Sequence, residues 1–169
     1  LERSLAIREK HFGPNSLDVA KQLSNLGSTK IYVKDSDGGR RDLERALSIR
    51  EATWGKDNVE VASTLDDLAT LERNSGDLPK ARALAERALA IKEKALGPDH
   101  PGLVKTLVNL GIILRQQGDL PGSAAQLRRA VAIAEAKLEP GQKDREGAAK
   151  ELAETLKNSE HAVALAAKL

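Results

Sequence analysis

The fold of this chain is decided by a nine-residue segment, LERALSIRE at residues 43–51, which occurs four times in related form. The other copies are LERSLAIRE at 1–9, AERALAIKE at 85–93 and LRRAVAIAE at 127–135. Consecutive copies start 42 positions apart, and four such periods account for all but one of the 169 residues. Because unrelated helices would not keep this spacing without an insertion, the chain is an array of one repeated structural unit.

Each period contains two amphipathic helices, called helix A and helix B here. Helix A is predicted at about residues 17–34, 59–75 and 102–117. The residues expected to cap its start are Asn15, Asp57 and Asp99. Helix B is expected to end at the bulky residues Phe12, Trp54, Leu96 and Leu138. Short turns make consecutive helices antiparallel, so each hairpin can bury its apolar face only against its neighbours.

The turn from helix A to helix B contains a glycine followed by an aspartate. Gly76-Asp77 and Gly118-Asp119 place glycine at the left-handed stop of helix A and aspartate at the cap of helix B. The first period instead carries Lys34-Asp35-Ser36-Asp37-Gly38-Gly39, for which the sequence predicts a longer, looser loop and a shorter helix B.

Small residues at fixed places indicate close contact between helices A and B. The core stripe of helix A recurs as Leu23, Leu26, Gly27, then Leu65, Leu68, Ala69, then Leu107, Leu110, Gly111. Helix B offers small residues in return at Gly39, Ala81 and Ser123 and at Ala46, Ala88 and Ala130. The bulky residues that end helix B, Trp54 among them, are expected to be buried at the junction with the next hairpin.

Composition excludes several classes of protein. The aromatic share of 2% argues against sandwiches, barrels and propellers. The net charge of +2, with both signs interleaved, gives no field for nucleic acid or anionic lipid, and no apolar run is long enough for membrane insertion. The absence of cysteine excludes disulfides and thiolate chemistry and favours the cell interior, with the cytoplasm expected.

Catalytic and cofactor motifs are not found in the sequence. His11, His100 and His161 share no metal-ligand spacing, and His100 belongs to the loop that starts helix A. Asp66 and Asp67 point about 100° apart on a helix and cannot flank one substrate bond. The glycines lie at helix ends and form no phosphate-binding loop, so we expect neither an enzyme nor a cofactor. The basic pairs Arg40-Arg41 and Arg128-Arg129 are expected to be solvated surface charges.

A period of 42 would also suit HEAT, armadillo or propeller repeats, but the pattern of small residues resembles the tetratricopeptide repeat family. The third period is most similar to the 42-residue repeat of the kinesin light chain type, through the run at residues 88–101 followed by Leu107-Val108-Asn109-Leu110. The last period departs from this motif with Ala149-Lys150-Glu151-Leu152, and we expect it to act as a terminal cap.

The resemblance implies an all-α, right-handed superhelical solenoid of antiparallel helix hairpins. The expected domain is one array over residues 1–169. It comprises a partial repeat at 1–14, repeats at about 15–56, 57–98 and 99–140, and a degenerate or capping repeat at 141–169. The array begins with a helix B that no helix A precedes and stops where a final helix B would have several more turns, so we expect it to be part of a longer chain.

The face of helix A opposite the core stripe, about 140° to 200° away, is the candidate binding surface. It consists of Lys21, Asn25, Ser28, Tyr32, Ser63, Asp67, Thr70, Asn74, Lys105, Asn109, Ile112 and Gln116. In the similar family this face lines a concave groove, where asparagine and lysine hold peptide backbone and carboxylates. Asp67 departs from that pattern and argues against a purely acidic ligand.

We therefore expect a non-catalytic module that binds a protein or an extended peptide segment in the helix A groove, alone or as part of a larger complex. Two alternatives stay open. One is a structural scaffold in a large permanent assembly, and the other is the sensor arm of a signalling ATPase.

Overall fold

A computed structural model describes the backbone of residues 2–166 and the side chains of residues 3–160. These residues form eight α-helices and one 3₁₀ turn and contain no strand. The helices are α1 Glu2–Phe12, α2 Leu17–Tyr32, α3 Ser36–Trp54, α4 Val59–Ser75, α5 Leu78–Leu96, α6 Val104–Gln116, α7 Leu120–Lys137 and α8 Lys143–Ala166, and the 3₁₀ turn is Pro101–Leu103. The predicted all-α class is confirmed. Within residues 2–166, none of the helices is both long and apolar enough to cross a membrane.

The chain divides into two compact units in sequence between Ile91 and Lys92, within α5. Unit 1 contains α1 to α4 and most of α5, and unit 2 contains the end of α5 with α6 to α8.

The core of unit 1 repeats along the chain, as the sequence predicts. Val19, Ala20 and Leu23 of α2 pack with Ala46 and Ile49 of α3. The equivalent cluster, one period later, consists of Val61, Ala62, Leu65, Ala88 and Ile91. All nine residues of the predicted helix A stripe are buried in their own units, which confirms which face of each helix forms the core.

Close contact between helices A and B is also confirmed. A Cβ atom added to Gly27 in α2 would lie 2.6 Å from Leu43 Cγ and 3.0 Å from the Gly39 carbonyl oxygen of α3. In unit 2, a Cβ atom at Gly111 would lie 2.6 Å from Leu127 Cγ. Because real Cβ contacts are longer than this, only glycine fits these positions beside a leucine.

The predicted helix caps are one residue too early. Asn15, Asp57 and Asp99 do not cap helix A. The caps are Ser16 for α2, Asn58 for α4 and, for the 3₁₀ turn that leads into α6, His100. The capping residue has an extended backbone immediately before the helix, and its side chain accepts a hydrogen bond from an amide of the first turn. His100 Nδ1 accepts from the Gly102 amide at 3.0 Å, which confirms its role at the helix start. The side chain of His161 lies outside the described residues.

The prediction of a loose first turn and a short helix B is wrong. The helix α3 has 19 residues, the same length as α5. Lys34 adopts the left-handed φ of +62° that Gly76 and Gly118 supply in the later turns, and Asp35 takes the capping place of Asp77 and Asp119. The turn is therefore equally tight, although a lysine rather than a glycine takes the strained backbone conformation.

The predicted burial of the bulky residues that end helix B is also wrong for the two aromatic ones. Trp54 is 40% exposed and Phe12 is 57% exposed, whereas Leu96 and Leu138 are half-buried. In unit 1 the end of α3 faces a cleft rather than a closed junction, so the indole of Trp54 remains accessible.

Two of the arginines expected to be solvated make specific bonds. Arg40 donates through Nε and Nη2 to the carboxylate of Glu72, which is 1% exposed, with both distances 2.8 Å. Arg129 bonds the carboxylate of Glu93 and, at 2.6 Å, the carbonyl oxygen of Pro98. Their sequence neighbours, Arg41 and Arg128, are exposed as expected. The sequence does not show which of two adjacent arginines faces a carboxylate.

Candidate functional site

A cleft of about 530 Å³ lies between α2 and α4 in unit 1, and the C-terminal end of α3 contributes to its wall. We call it the unit 1 cleft. Its lining consists of Leu17, Asp18, Lys21, Ser24, Asn25, Arg50, Trp54, Glu60, Ser63 and Asp67. The helices α2 and α4 are both copies of helix A, so this cleft is where the predicted binding face becomes concave.

Four of the predicted site residues of unit 1 line this cleft, namely Lys21, Asn25, Ser63 and Asp67. Lys21, Asn25 and Ser63 are exposed, and Asp67 is half-buried. Ser28 lies beside them and donates a hydrogen bond from Oγ to Asp67 Oδ2 at 3.2 Å, which joins α2 to α4. The structure therefore brings this part of the predicted face together.

The other predicted residues of unit 1 lie outside the cleft lining. Tyr32, at the end of α2, is 87% exposed, and Asn74 near the end of α4 is also exposed. Thr70 donates its hydroxyl to the carbonyl oxygen of Asp66 on its own helix at 3.0 Å. These three side chains continue the same helix face beyond the cleft.

The predicted residues of unit 2 are less uniform. Lys105 and Gln116 are exposed and Ile112 is half-buried, but Asn109 is only 8% exposed, contrary to the expectation that it points away from the core. The reason is that α8 packs on α6. The cavity between these two helices has a volume of only about 90 Å³.

The two clefts differ at positions related by two periods. Arg50 and Thr64 in unit 1 correspond to Ala134 and Ala148 in unit 2, both of which are fully buried. In unit 2 the two alanines let α7 and α8 approach closely. In unit 1 the guanidinium of Arg50 and its partner Thr64 occupy the space between α3 and α4. The larger pair of side chains accompanies the open cleft of unit 1, and the alanine pair accompanies the small cavity of unit 2.

Sequence reasoning missed Arg50, which is 8% exposed in the cleft wall. Its Nη1 donates to Thr64 Oγ1 and, at 3.4 Å, to the backbone carbonyl oxygen of Glu60. Burial lowers the pKa of the Arg50 guanidinium below its ordinary value, and the negative charges of Glu60 and Asp67 oppose that shift. A repeated pattern could have identified it, because Lys92 and Thr106 pair in the same way, at 2.9 Å, one period later.

Trp54 was recognised in the sequence but assigned to the wrong environment. Its indole lines the cleft together with Arg50, Lys21 and Asp67. An exposed aromatic side chain beside polar donors is a common feature of peptide-binding surfaces, because it offers apolar contact area with few rotatable bonds.

The carboxylates of the cleft are mostly engaged within the protein. Asp18 accepts a hydrogen bond from Arg8 Nη1 at 3.3 Å, and Asp67 accepts the one from Ser28. Ser24, by contrast, is 8% exposed, and its hydroxyl has no hydrogen-bond partner among the described residues. The lining therefore contains carboxylate acceptors as well as amide, ammonium and guanidinium donors.

Comparison with solved structures supports the same fold. BtubC (BKLC) from P. vanneervenii superposes with a TM-score of 0.76 at 20% sequence identity, covering 86% of this chain and 58% of that one. The kinesin light chain TPR-like repeats from Podosopora anserina give 0.76 at 20% identity, covering 95% of this chain and 76% of that one. The N-terminal domain of stress-induced protein-1 from C. elegans gives 0.58 at 14% identity, covering 82% and 95%.

A search of the curated proteins finds no match to this chain. The family profile of the tetratricopeptide repeat matches residues 18–94 and 60–136, well over half of the sequence. Tetratricopeptide repeats generally bind proteins or peptides and serve as non-catalytic scaffolds. With the 42-residue period, the helix hairpins and the kinesin light chain-type neighbours, the match shows that this chain belongs to the tetratricopeptide repeat family.

Proposed function

We propose that this chain is a non-catalytic protein-interaction module that binds an extended peptide segment in the unit 1 cleft. The observation that carries the proposal is the convergence of exposed polar side chains from α2 and α4, including Lys21, Asn25 and Ser63, beside the exposed indole of Trp54. An amide such as that of Asn25 can donate to and accept from one peptide unit at once. Side chains of this kind fix an extended backbone with little dependence on its sequence.

The repeat boundaries proposed above, about 15–56, 57–98 and 99–140, place the unit 1 cleft between the first two full repeats. A segment bound there would contact successive helices A, which lie about 10 Å apart in packed arrays. Several residues of extended chain span that distance.

The proposal is tested by selecting peptides from a random library displayed on phage and measuring their affinity for variants by calorimetry. Asn25→Ala should weaken a selected peptide by about 1–3 kcal/mol, because a desolvated peptide group loses its hydrogen bonds. Lys21→Ala should have a smaller effect, since this ammonium is exposed to solvent.

Arg129→Ala on α7 is the matched control, because Arg129 bonds Glu93 and lies outside the cleft lining. It should leave the affinity almost unchanged. If Arg129→Ala abolished binding while the cleft variants were silent, the working surface would be on helix B. That result would contradict the cleft proposal and favour the scaffold alternative.

A further inference from the structure

The lining of the unit 1 cleft contains a buried guanidinium and two carboxylates that lie near it without touching it. Arg50 is 8% exposed, and both of its hydrogen bonds within the described residues, to Thr64 Oγ1 and to the backbone carbonyl oxygen of Glu60, use Nη1. Burial lowers the pKa of Arg50, and the negative charges of Glu60 and Asp67 oppose that shift, so both carboxylates face the guanidinium through space. Neither carboxylate forms an ion pair with Arg50 in the described part of the chain. A gap therefore separates the donors Nε and Nη2 of Arg50 from two acceptors.

The charges of this lining are balanced. Two positive and two negative side chains contribute to it, namely Lys21, Arg50, Glu60 and Asp67. The remaining carboxylate, that of Asp18, is paired with Arg8 at 3.3 Å. A ligand group with a net charge of either sign would meet a like charge in the cleft. The lining therefore favours an uncharged group.

A carboxamide is the uncharged side-chain group that fits such a lining. Its oxygen accepts hydrogen bonds, and its NH₂ group donates two. The oxygen can accept from Arg50 while the NH₂ group donates to Glu60 or Asp67, and hydrogen bonds to charged partners are the stronger ones. A carboxylate in the same place would bond Arg50 but face both carboxylates of α4, whereas an ammonium group would bond those carboxylates but face Arg50. Only a group with both a donor and an acceptor satisfies the two sides at once.

We propose that the unit 1 cleft selects an extended segment through the side-chain carboxamide of one glutamine, which bridges Arg50 and the carboxylates of α4. This inference rests on the proposed peptide-binding function and names the chemistry of the ligand. Asn25 and Ser63 are exposed at the rim, where the backbone of the segment lies, whereas Arg50 is buried in the wall. The two methylene groups of glutamine carry the amide from the rim to the wall, alongside the indole of Trp54, which also lines the cleft.

The probe is the heptapeptide acetyl-Ala-Ser-Leu-Gln-Leu-Ser-Ala with a C-terminal methylamide, so that its glutamine carries the only primary carboxamide. It is compared with analogues that carry Glu, Lys or Met at the same place. Binding is followed by the NMR shift of the indole of Trp54, the single tryptophan of the chain, and by the Arg50 Nε–H signal. The Gln peptide should bind about tenfold more tightly than each analogue, because each analogue leaves at least one charged group of the cleft without a partner.

Glu60→Gln changes the balance of charge in the cleft and tests the inference directly. The lining then has an excess of positive charge, so the preference for the Gln peptide over the Glu peptide should be lost or reversed. The matched control is Glu86→Gln on α5, which removes another exposed carboxylate that lies outside the cleft lining. This control should leave the preference intact.

Arg50→Met removes the donors to the amide oxygen and should reduce the affinity of the Gln peptide to that of the Met peptide. Arg50→Lys keeps a cation and has a precedent in Lys92, which bonds Thr106 at the equivalent position, so it should fold and retain part of the preference. Thermal melts of each variant exclude loss of folding as the cause.

Several results would overturn the inference. They are tighter binding of the Glu, Lys or Met peptide than of the Gln peptide, a preference for Gln that survives in Arg50→Met, or an unchanged preference in Glu60→Gln. If no probe shifts the indole, the peptides selected from the phage library decide, and a set without a shared glutamine contradicts the inference. If the four heptapeptides bind equally and Asn25→Ala weakens each, the proposed function holds and only the glutamine inference fails.

Discussion

At the scale of single residues, the contact between helices A and B is governed by paired sizes. Gly27 faces Leu43 in unit 1, and Gly111 faces Leu127 in unit 2. At the equivalent positions of the repeat between them, the chain carries Ala69 and Ala85, both fully buried. A glycine is thus found where helix B provides leucine, and an alanine where it provides alanine, so the residue of helix A is smaller where its partner on helix B is larger.

Gly111→Ala should therefore destabilise the protein by about 1–3 kcal/mol through overpacking, although alanine is the better helix former by about 1 kcal/mol. In the background of Leu127→Ala, the same change should become neutral or stabilising, because the pair then matches Ala69 and Ala85. Urea unfolding of the four variants measures this coupling.

Gly147→Ala in α8 is the control for helix propensity, because nothing lies within 4 Å of a Cβ atom at that position. It should raise stability by about 0.5–1 kcal/mol. If Gly111→Ala raised stability by the same amount, the close contact with Leu127 would not limit the side chain.

The close helix contact at these glycines is predictable from the sequence, because they occupy a fixed place in the 42-residue period. It does not predict the role of Arg50, since a cation on helix B is usually a solvated charge and its burial depends on how far apart α2 and α4 lie. Asn109 illustrates the same difficulty, because its burial is caused by α8, whose sequence departs from the repeat motif.

At the scale of elements, the turn between α2 and α3 shows that backbone conformation can be retained where residue types change. Asp35 N–H donates to the Lys30 carbonyl oxygen at 3.0 Å, as Asp77 N–H does to Glu72 in the later turn. The helix lengths follow from the 42-residue period, so the positions of α3 and α5 are predictable even though the turn sequence misleads. Only the residue type distinguishes the first turn, because a lysine takes the left-handed φ that a glycine takes in the later turns.

Lys34→Gly should stabilise the protein by about 1 kcal/mol. The left-handed conformation costs a residue with a Cβ atom roughly 1–2 kcal/mol, and the larger entropy that glycine loses on folding offsets part of that gain. Gly118→Lys introduces the same strain in the third turn and should have the opposite effect. Thermal unfolding of both variants gives the signs. A lower melting temperature for Lys34→Gly would mean that the lysine side chain makes a compensating contact.

At the scale of the whole molecule, one repeated buried position differs in kind between the two units. In unit 1 the carboxylate of Glu72 is buried between Arg40 and Lys80, with nitrogen to oxygen distances of 2.8 Å and 2.7 Å. In unit 2 the position one period later is Leu114, which is 4% exposed. One repeated site is thus ionic in unit 1 and apolar in unit 2, so acid should act differently on them.

The hydrogen bond from Arg40 lowers the pKa of Glu72 below its ordinary value of 4.5, with a further contribution from Lys80, against the opposing effect of burial. A lowered folded-state pKa means that the unfolded chain binds the proton more readily. This carboxylate therefore contributes its full stability above pH 4.5 and loses it as the pH falls through the folded-state pKa. Glu72→Gln should cost about 1.5–3 kcal/mol at neutral pH, and the cost should shrink below pH 4.5.

The single tryptophan, Trp54, lies in unit 1 and reports on the unfolding of that unit, whereas circular dichroism follows all helices. Urea midpoints from Trp54 fluorescence should fall more steeply with acid in the unchanged protein than in Glu72→Gln. The two proteins differ only at residue 72, so the difference between the two curves isolates Glu72. Parallel curves below pH 4.5 would show that the ion pair with Arg40 and Lys80 adds no pH-dependent stability to unit 1.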